Sequence, residues 1–298
     1  MTNKYSNKSK SIERSVFEIC DPNEHVVPLV FSSPHSGTMY PADFVEESRL
    51  TPLALRRSED SFVDELFSAA PSFGAPLIKA LFPRAYIDAN REPFELDQKM
   101  FSDRLPSYVN TKSGRVAAGL GTIPRIISYG QDIYSRQLTF AEAKDRVNRF
   151  YWPYHNTLKN IIINTKQLFG YCILVDCHSM PSIGGPLDPD AGRGRADFII
   201  GDCFGSSCAS HVADIIEKNI SDFGYTVARN KPFAGGFTTR HYGKPNEGVN
   251  AVQIEINRAL YMDEINIEKN SGFNQIASQM TEVIASLSKH VSVEQAAE

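Results

Sequence analysis

Residues 171–180 read YCILVDCHSM, and residues 26–37 read VVPLVFSSPHSG. Each is a short apolar run that stops at a histidine followed by a serine. A run of this length bounded by turn residues fits a strand buried on both faces, the kind found inside parallel sheets. Open α/β sheets take their ligands in the crevice beyond the carboxyl ends of the strands, so His35 and His178 would stand at the mouth of the sheet. Two imidazoles placed there can share one metal ion. Two separately hydrogen-bonded structural histidines are the plainer alternative.

Outward from these runs, strand and helix signals alternate. SVFEIC resembles a short edge strand ahead of the first run, and Leu55, Phe62, Val63, Leu66 and Phe67 recur at helical spacings after it. APLIKALFPRAYIDANREP offers one or two further strands. Residues 97–136 are irregular and rich in turn formers, the pattern of a long loop that is functional or mobile. A helix over 139–169 is announced by Thr139 with Glu142 three residues on. Beyond the second run come a Gly/Pro-rich loop, strand RADFIIGD, helix SSCASHVADIIEKNISDFG, strand YTVARN, loop KPFAGGFTTRHYGKP, strand NAVQIEIN and a helix over 270–290. This order predicts an α/β fold, a three-layer sandwich around a mixed, mostly parallel central sheet. One domain over 15–290 is expected, between a disordered arm at 1–14 and a flexible tail at 291–298.

Composition narrows the functional classes. The net charge of −4, with acids and bases interspersed, offers no basic face for nucleic acid. No apolar stretch approaches membrane-spanning length and the N-terminus lacks a signal-peptide core, so a cytoplasmic protein is the expectation. Five cysteines, an odd number, do not read as a secreted disulfide framework. Cys172/Cys177 and Cys203/Cys208 could in principle supply a four-thiolate zinc, but the apolar neighbours of the first pair suit buried thiols better.

A catalytic metal site needs a third protein ligand. RRSEDSFVDELF supplies Glu59, Asp60 and Asp64, among which Asp60 is the choice; a solvated acidic helix face is the competing reading. In AVQIEIN, Gln253, Glu255 and Asn257 alternate with Val252, Ile254 and Ile256. If that face lines the crevice, Glu255 is placed as a general base; if it meets solvent, this is an ordinary half-exposed strand. Asn90 and Arg91 at the end of IDANRE, Arg240 in GGFTTRHYG, and Arg193 and Arg195 in RGRAD are candidates for holding a substrate carboxylate. The glycine clusters lack the order of a dinucleotide or phosphate loop, and SPHSG lacks the first glycine of a nucleophile elbow.

Taken in order, SPHSGTMYP, EDSFVDELF, RAYIDANREP, VDCHSMP, RADFIIGD and VQIEINRALYMDE resemble the N-formylglutamate amidohydrolase family, over residues 25–265. That family is similar in fold to the zinc carboxypeptidases and acyl-amino-acid deacylases, which implies a phosphorylase/hydrolase-like sandwich. The resemblance implies Zn2+ or another divalent metal on His35, His178 and an acid of EDSFVD, with Glu255 as general base. It also implies Asn90 and Arg91, and after them Arg240, as holders of an acyl-amino acid, N-formyl-L-glutamate first, with Arg193 a further candidate by residue type. No H-x-x-E occurs at His35, where Thr38 stands at the glutamate position. The rival expectations are a deacylase or carboxypeptidase-like hydrolase of another acyl-amino acid or short peptide, and an inactive binding protein on the same scaffold.

Overall fold

The computed structural model describes residues 15–127, 130–186 and 188–297; the expected N-terminal arm lies outside them. Seven strands form the main sheet: β1 (Phe17–Cys20), β2 (Leu29–Ser33), β3 (Leu77–Ala80), β4 (Cys172–Met180), β5 (Phe198–Gly201), β6 (Val227–Arg229) and β7 (Val249–Asn257). Their spatial order is β1-β3-β2-β4-β7-β5-β6. β3, β2, β4 and β7 run parallel, β5 is antiparallel to β7, and β1 is antiparallel to β3. The sheet is therefore mixed, with its parallel part at the centre. β4, the strand of YCILVDCHSM, is buried along its whole length between β2 and β7.

Helices cover both faces. On one, Ser210–Asp222 and Phe273–Ala297 contribute Val212, Ile216, Ile220, Met280, Ile284 and Leu287 to a core shared with Phe31, Val175 and Ile254. On the other, Trp152–Phe169 presents Tyr154, Leu158 and Ile162 to Val30, Leu174 and Ala251. Each fully buried aliphatic chain in these layers contributes about 1.5–3 kcal/mol by leaving water. Thr139 and Glu142 form the anticipated reciprocal capping box. The helix they start passes through one π turn, Val147–Tyr151, and ends at Gly170 in a left-handed conformation.

Three local expectations need correction. The helix read across 55–67 is broken into Pro52–Arg56 and Val63–Leu66, with Phe62 at φ 67° between them. APLIKALFPRAYIDANREP yields one strand, β3, within the one or two expected, and Pro83 then turns the chain into irregular structure. The loop at 231–245 contains a short helix, Phe237–Tyr242. The C-terminal helix continues to Ala297, so backbone expected to be a tail from 291 is helical. No helix among the described residues is long and apolar enough to cross a membrane.

Candidate metal centre and its cavity

Alternation along three adjacent strands decides where the polar groups collect. On β4, Ile173, Val175 and Cys177 enter one core and Cys172 and Leu174 the other. Asp176 and His178 continue the second face past its apolar part. β7 repeats the pattern with Ala251, then Gln253 and Glu255, and its register sets Gln253 beside Asp176 and Glu255 beside His178. Ser32 on β2 lies opposite Asp176. One face of the sheet thus changes from apolar to polar towards the carboxyl ends of its strands. Glu255 is only 8 % exposed there, which decides for the crevice over open solvent.

His35 follows β2 in a turn that Gly37 permits, since a Cβ at that position would sit 2.2 Å from the carbonyl oxygen of Phe82. Asp60 arrives from the break in the helix at 57–62. Had that helix been continuous, Asp60 and Asp64 would share a face; instead Asp64 turns to Lys79, 3.7 Å away. Glu59 is used nearby, accepting from Tyr40, Arg56 and Ser61. Asp60 alone of the three acids meets the histidines. Its Oδ2 lies 3.2 Å from Nδ1 of His35 and 2.9 Å from Nδ1 of His178. One ligand atom from each residue falls within 4.8 Å of the others, and all three residues are buried.

Each imidazole is backed by a second carboxylate. Nε2 of His35 is 2.7 Å from Oδ1 of Asp88, and Nε2 of His178 is 2.9 Å from Oδ2 of Asp176. A carboxylate on the outer nitrogen fixes the ring and directs the inner lone pair at a cation, as in metal sites generally. Arginines balance the acids: Arg258 donates to Oδ1 of Asp60 at 2.9 Å, and Arg84 donates to Oδ2 of Asp88 at 2.9 Å. Two imidazole nitrogens and one carboxylate oxygen, buried and supported in this way, fit a divalent ion with an open coordination position.

The electrostatics follow from crowding in a dry site. Burial opposes ionisation of Asp60, but hydrogen bonds from His178 and His35 outweigh it and hold the carboxyl well below its usual range. Burial likewise opposes charge on His178, yet Asp176 and Asp60 keep its pKa well above that of an ordinary imidazole. Burial pushes Glu255 up to about 7, against the attraction of His178. A carboxylate tuned near neutrality is suited to taking and returning a proton. Arg91 is lowered to about 10 by burial and remains a cation at neutral pH.

The cavity above this cluster has a volume of about 160 Å3 and is lined by His35, His178, Glu255, Asn90 and Arg91, with Arg84, Arg115, Arg195 and Arg258. That is below the ~300–1,000 Å3 of sites for drug-sized molecules, and it suits a small amino-acid derivative better than a peptide. Two expected arginines are not brought to it. Arg240 is exposed and donates to the carbonyl of Gly235. Arg193 is exposed, while Arg195, two residues on, reaches the cavity and is held by Asp188 and Asp190. Asn90 is at the site, but both ends of its amide face protein: Oδ1 accepts from the N–H of Thr238, and Nδ2 lies 3.1 Å from Nε2 of His178. Cys172 and Cys177 sit on opposite faces of β4 and cannot share an ion.

Asp88, Asp176, Arg84, Arg258, Arg115 and Gln253 were not singled out from the sequence. Asp176 could have been, because it lies two residues before His178 on a strand and so on the same face.

Known proteins resemble this chain in sequence and in fold. Residues 27–262 match the family model described as N-formylglutamate amidohydrolase. The chain is 33% identical over 246 residues to an N-formylglutamate deformylase of Pseudomonas aeruginosa, covering 80% of this chain and 83% of that one. A Pseudomonas putida protein of the same name is 30% identical over the same shares. The crystal structure of N-formylglutamate amidohydrolase from Ralstonia eutropha superposes with a TM-score of 0.86 at 36% identity, covering 93% of this chain and 99% of that one. By its family model and these relatives, the chain belongs to the N-formylglutamate amidohydrolase family.

Proposed function

We propose that this protein is a metal-dependent amidohydrolase that cleaves N-formyl-L-glutamate to formate and L-glutamate. The observation that carries the reading is the convergence of His35, Asp60 and His178 on one point beside Glu255, in a small cavity rimmed by arginines. The named relatives are N-formylglutamate deformylases, and a dicarboxylate suits such a rim.

His35, Asp60 and His178 would hold the ion, and zinc suits two imidazoles and a carboxylate with an open position. Bound there, it would supply the acidity that makes water nucleophilic near neutral pH and would polarise the formyl oxygen. Glu255 takes the proton from the attacking water and returns it to the nitrogen of the departing glutamate as the C–N bond breaks. Arg91 holds a substrate carboxylate; its Nε and Nη1 are anchored on the carbonyls of Leu120 and Asn90, so the guanidinium is fixed before substrate arrives. Holding the amide in register with the base lowers the barrier through orientation. Asp88 and Asp176 keep the two imidazoles aimed. Arg193 and Arg240 have no part in this scheme.

The sandwich, with its site beyond the parallel strand ends, is read as the zinc-carboxypeptidase kind, and residues 15–290 as one domain. Formate release from N-formylglutamate, compared with N-acetyl- and N-succinylglutamate, tests the reading. Turnover confined to another acyl group would replace it with a different deacylase, and binding of N-formylglutamate without turnover would favour a binding protein.

A further inference from the structure

Gln253 is a buried amide on β7, 4 % exposed, where the strand pattern alone would accept an aliphatic residue. Both its ends are committed. Oε1 accepts from the backbone N–H of Gly236 at 2.9 Å, which fixes the amide's orientation, and Nε2 donates to Oε1 of Glu255 at 2.7 Å. Among the described residues no hydrogen bond reaches the other oxygen of Glu255. A neutral donor thus pins one carboxylate oxygen without supplying the charge that would make the group a weaker base, and leaves the second oxygen without a protein donor among the described residues.

The N–H that orients Gln253 belongs to a turn that is itself clamped. Asn90 accepts from Thr238 N–H through its side chain and from Phe237 N–H through its carbonyl. Gly236 packs so closely on the Asn90 amide that a Cβ there would lie 2.1 Å from Nδ2. The 235–238 turn therefore stands between Asn90, which reaches His178, and Gln253, which reaches Glu255.

We propose that Gln253 is the positioning residue for Glu255, oriented by the 235–238 turn. This rests on the reading of Glu255 as the proton carrier. The test is steady-state deformylation of N-formylglutamate by the metal-loaded enzyme, with metal content measured on each variant. Gln253→Met, close in volume, is expected to lower kcat about 10–100-fold while KM changes less than about threefold and metal content is unchanged. Gly236→Ala, which leaves Gln253 itself intact, is expected to lower kcat in the same way by displacing the turn. In a Glu255→Gln background, Gln253→Met is expected to add less than about threefold, because the group it positions is gone.

An unchanged kcat in both single variants would overturn the proposal. So would a loss confined to KM or to metal content, or a full further loss in the Glu255→Gln background. Near wild-type turnover in Glu255→Gln alone would instead refute the role of Glu255, a distinguishable result.

Discussion

Replacing Asp176 by Asn tests the support of the metal centre with little change of shape. Asp176 is wholly buried and meets Nε2 of His178 at 2.9 Å, with Ser32 donating at 3.2 Å and Asn90 Nδ2 3.4 Å away. As a carboxylate it makes a charge-assisted bond to the imidazole, worth about 1.5–3 kcal/mol, against about 0.5–1.5 kcal/mol for a neutral pair. An asparagine that turns its oxygen to His178 must also bring its NH2 into a space already occupied by donors. The midpoints of these ranges differ by about 1.3 kcal/mol, so metal affinity is expected to fall about tenfold, at the lower end of the 10–100-fold usual for such partners. Competition against a chromophoric chelator measures it directly, with unfolding followed in parallel. A dissociation constant within about twofold of wild type, in a variant that unfolds like wild type, would refute the assignment of Asp176 as the group that aims His178.

Three further outcomes are expected. Glu255→Gln, with metal bound, should lower turnover about 10²–10⁴-fold; near wild-type turnover would show that another group moves the proton. Arg91→Met should raise KM for N-formylglutamate about 10–100-fold through loss of a charge-assisted contact, whereas Arg240→Ala and Arg193→Ala, which remove exposed side chains, should leave kcat/KM within about twofold; the three variants assayed together check the placement of the anchors. His155 is buried and bonded to Ala89 and Tyr242, and burial lowers its pKa from 6.5 to about 4. Its contribution to stability is therefore complete above pH 6.5 and is lost as pH falls towards about 4, amounting to about 3 kcal/mol; denaturant unfolding of wild type against His155→Gln should show their difference shrinking across that window, and a constant difference would contradict it.

Much of the site was legible because strands carry a period. His35 and His178 end buried runs, and Glu255 alternates with aliphatic residues on β7. What periodicity could not give was the face of β7, which depends on its neighbours: β7 is internal, between β4 and β5, so its polar end meets the crevice. Asp60 was read from a helix expected across this segment, but that helix is interrupted there, and it is the break that carries Asp60 to the histidines. Asp88 lies in irregular structure where no period operates, and Arg84 and Arg258 are brought to Asp60 from segments far apart in the chain. Arg193 and Arg240 were attractive by residue type alone. The course of their loops turned Arg195 inward and left both of them in solvent.

Whether His35, Asp60 and His178 hold a catalytic ion is decided by measuring bound divalent metal and formate release from N-formylglutamate on the same samples of wild type, chelator-treated protein and His178→Ala. Wild type is expected to be metal-loaded and active, the other two to lose metal and turnover in parallel, and the chelated protein to recover when zinc is restored. Formate release that survives removal of the metal, or an intact metal content in His178→Ala, would contradict that role.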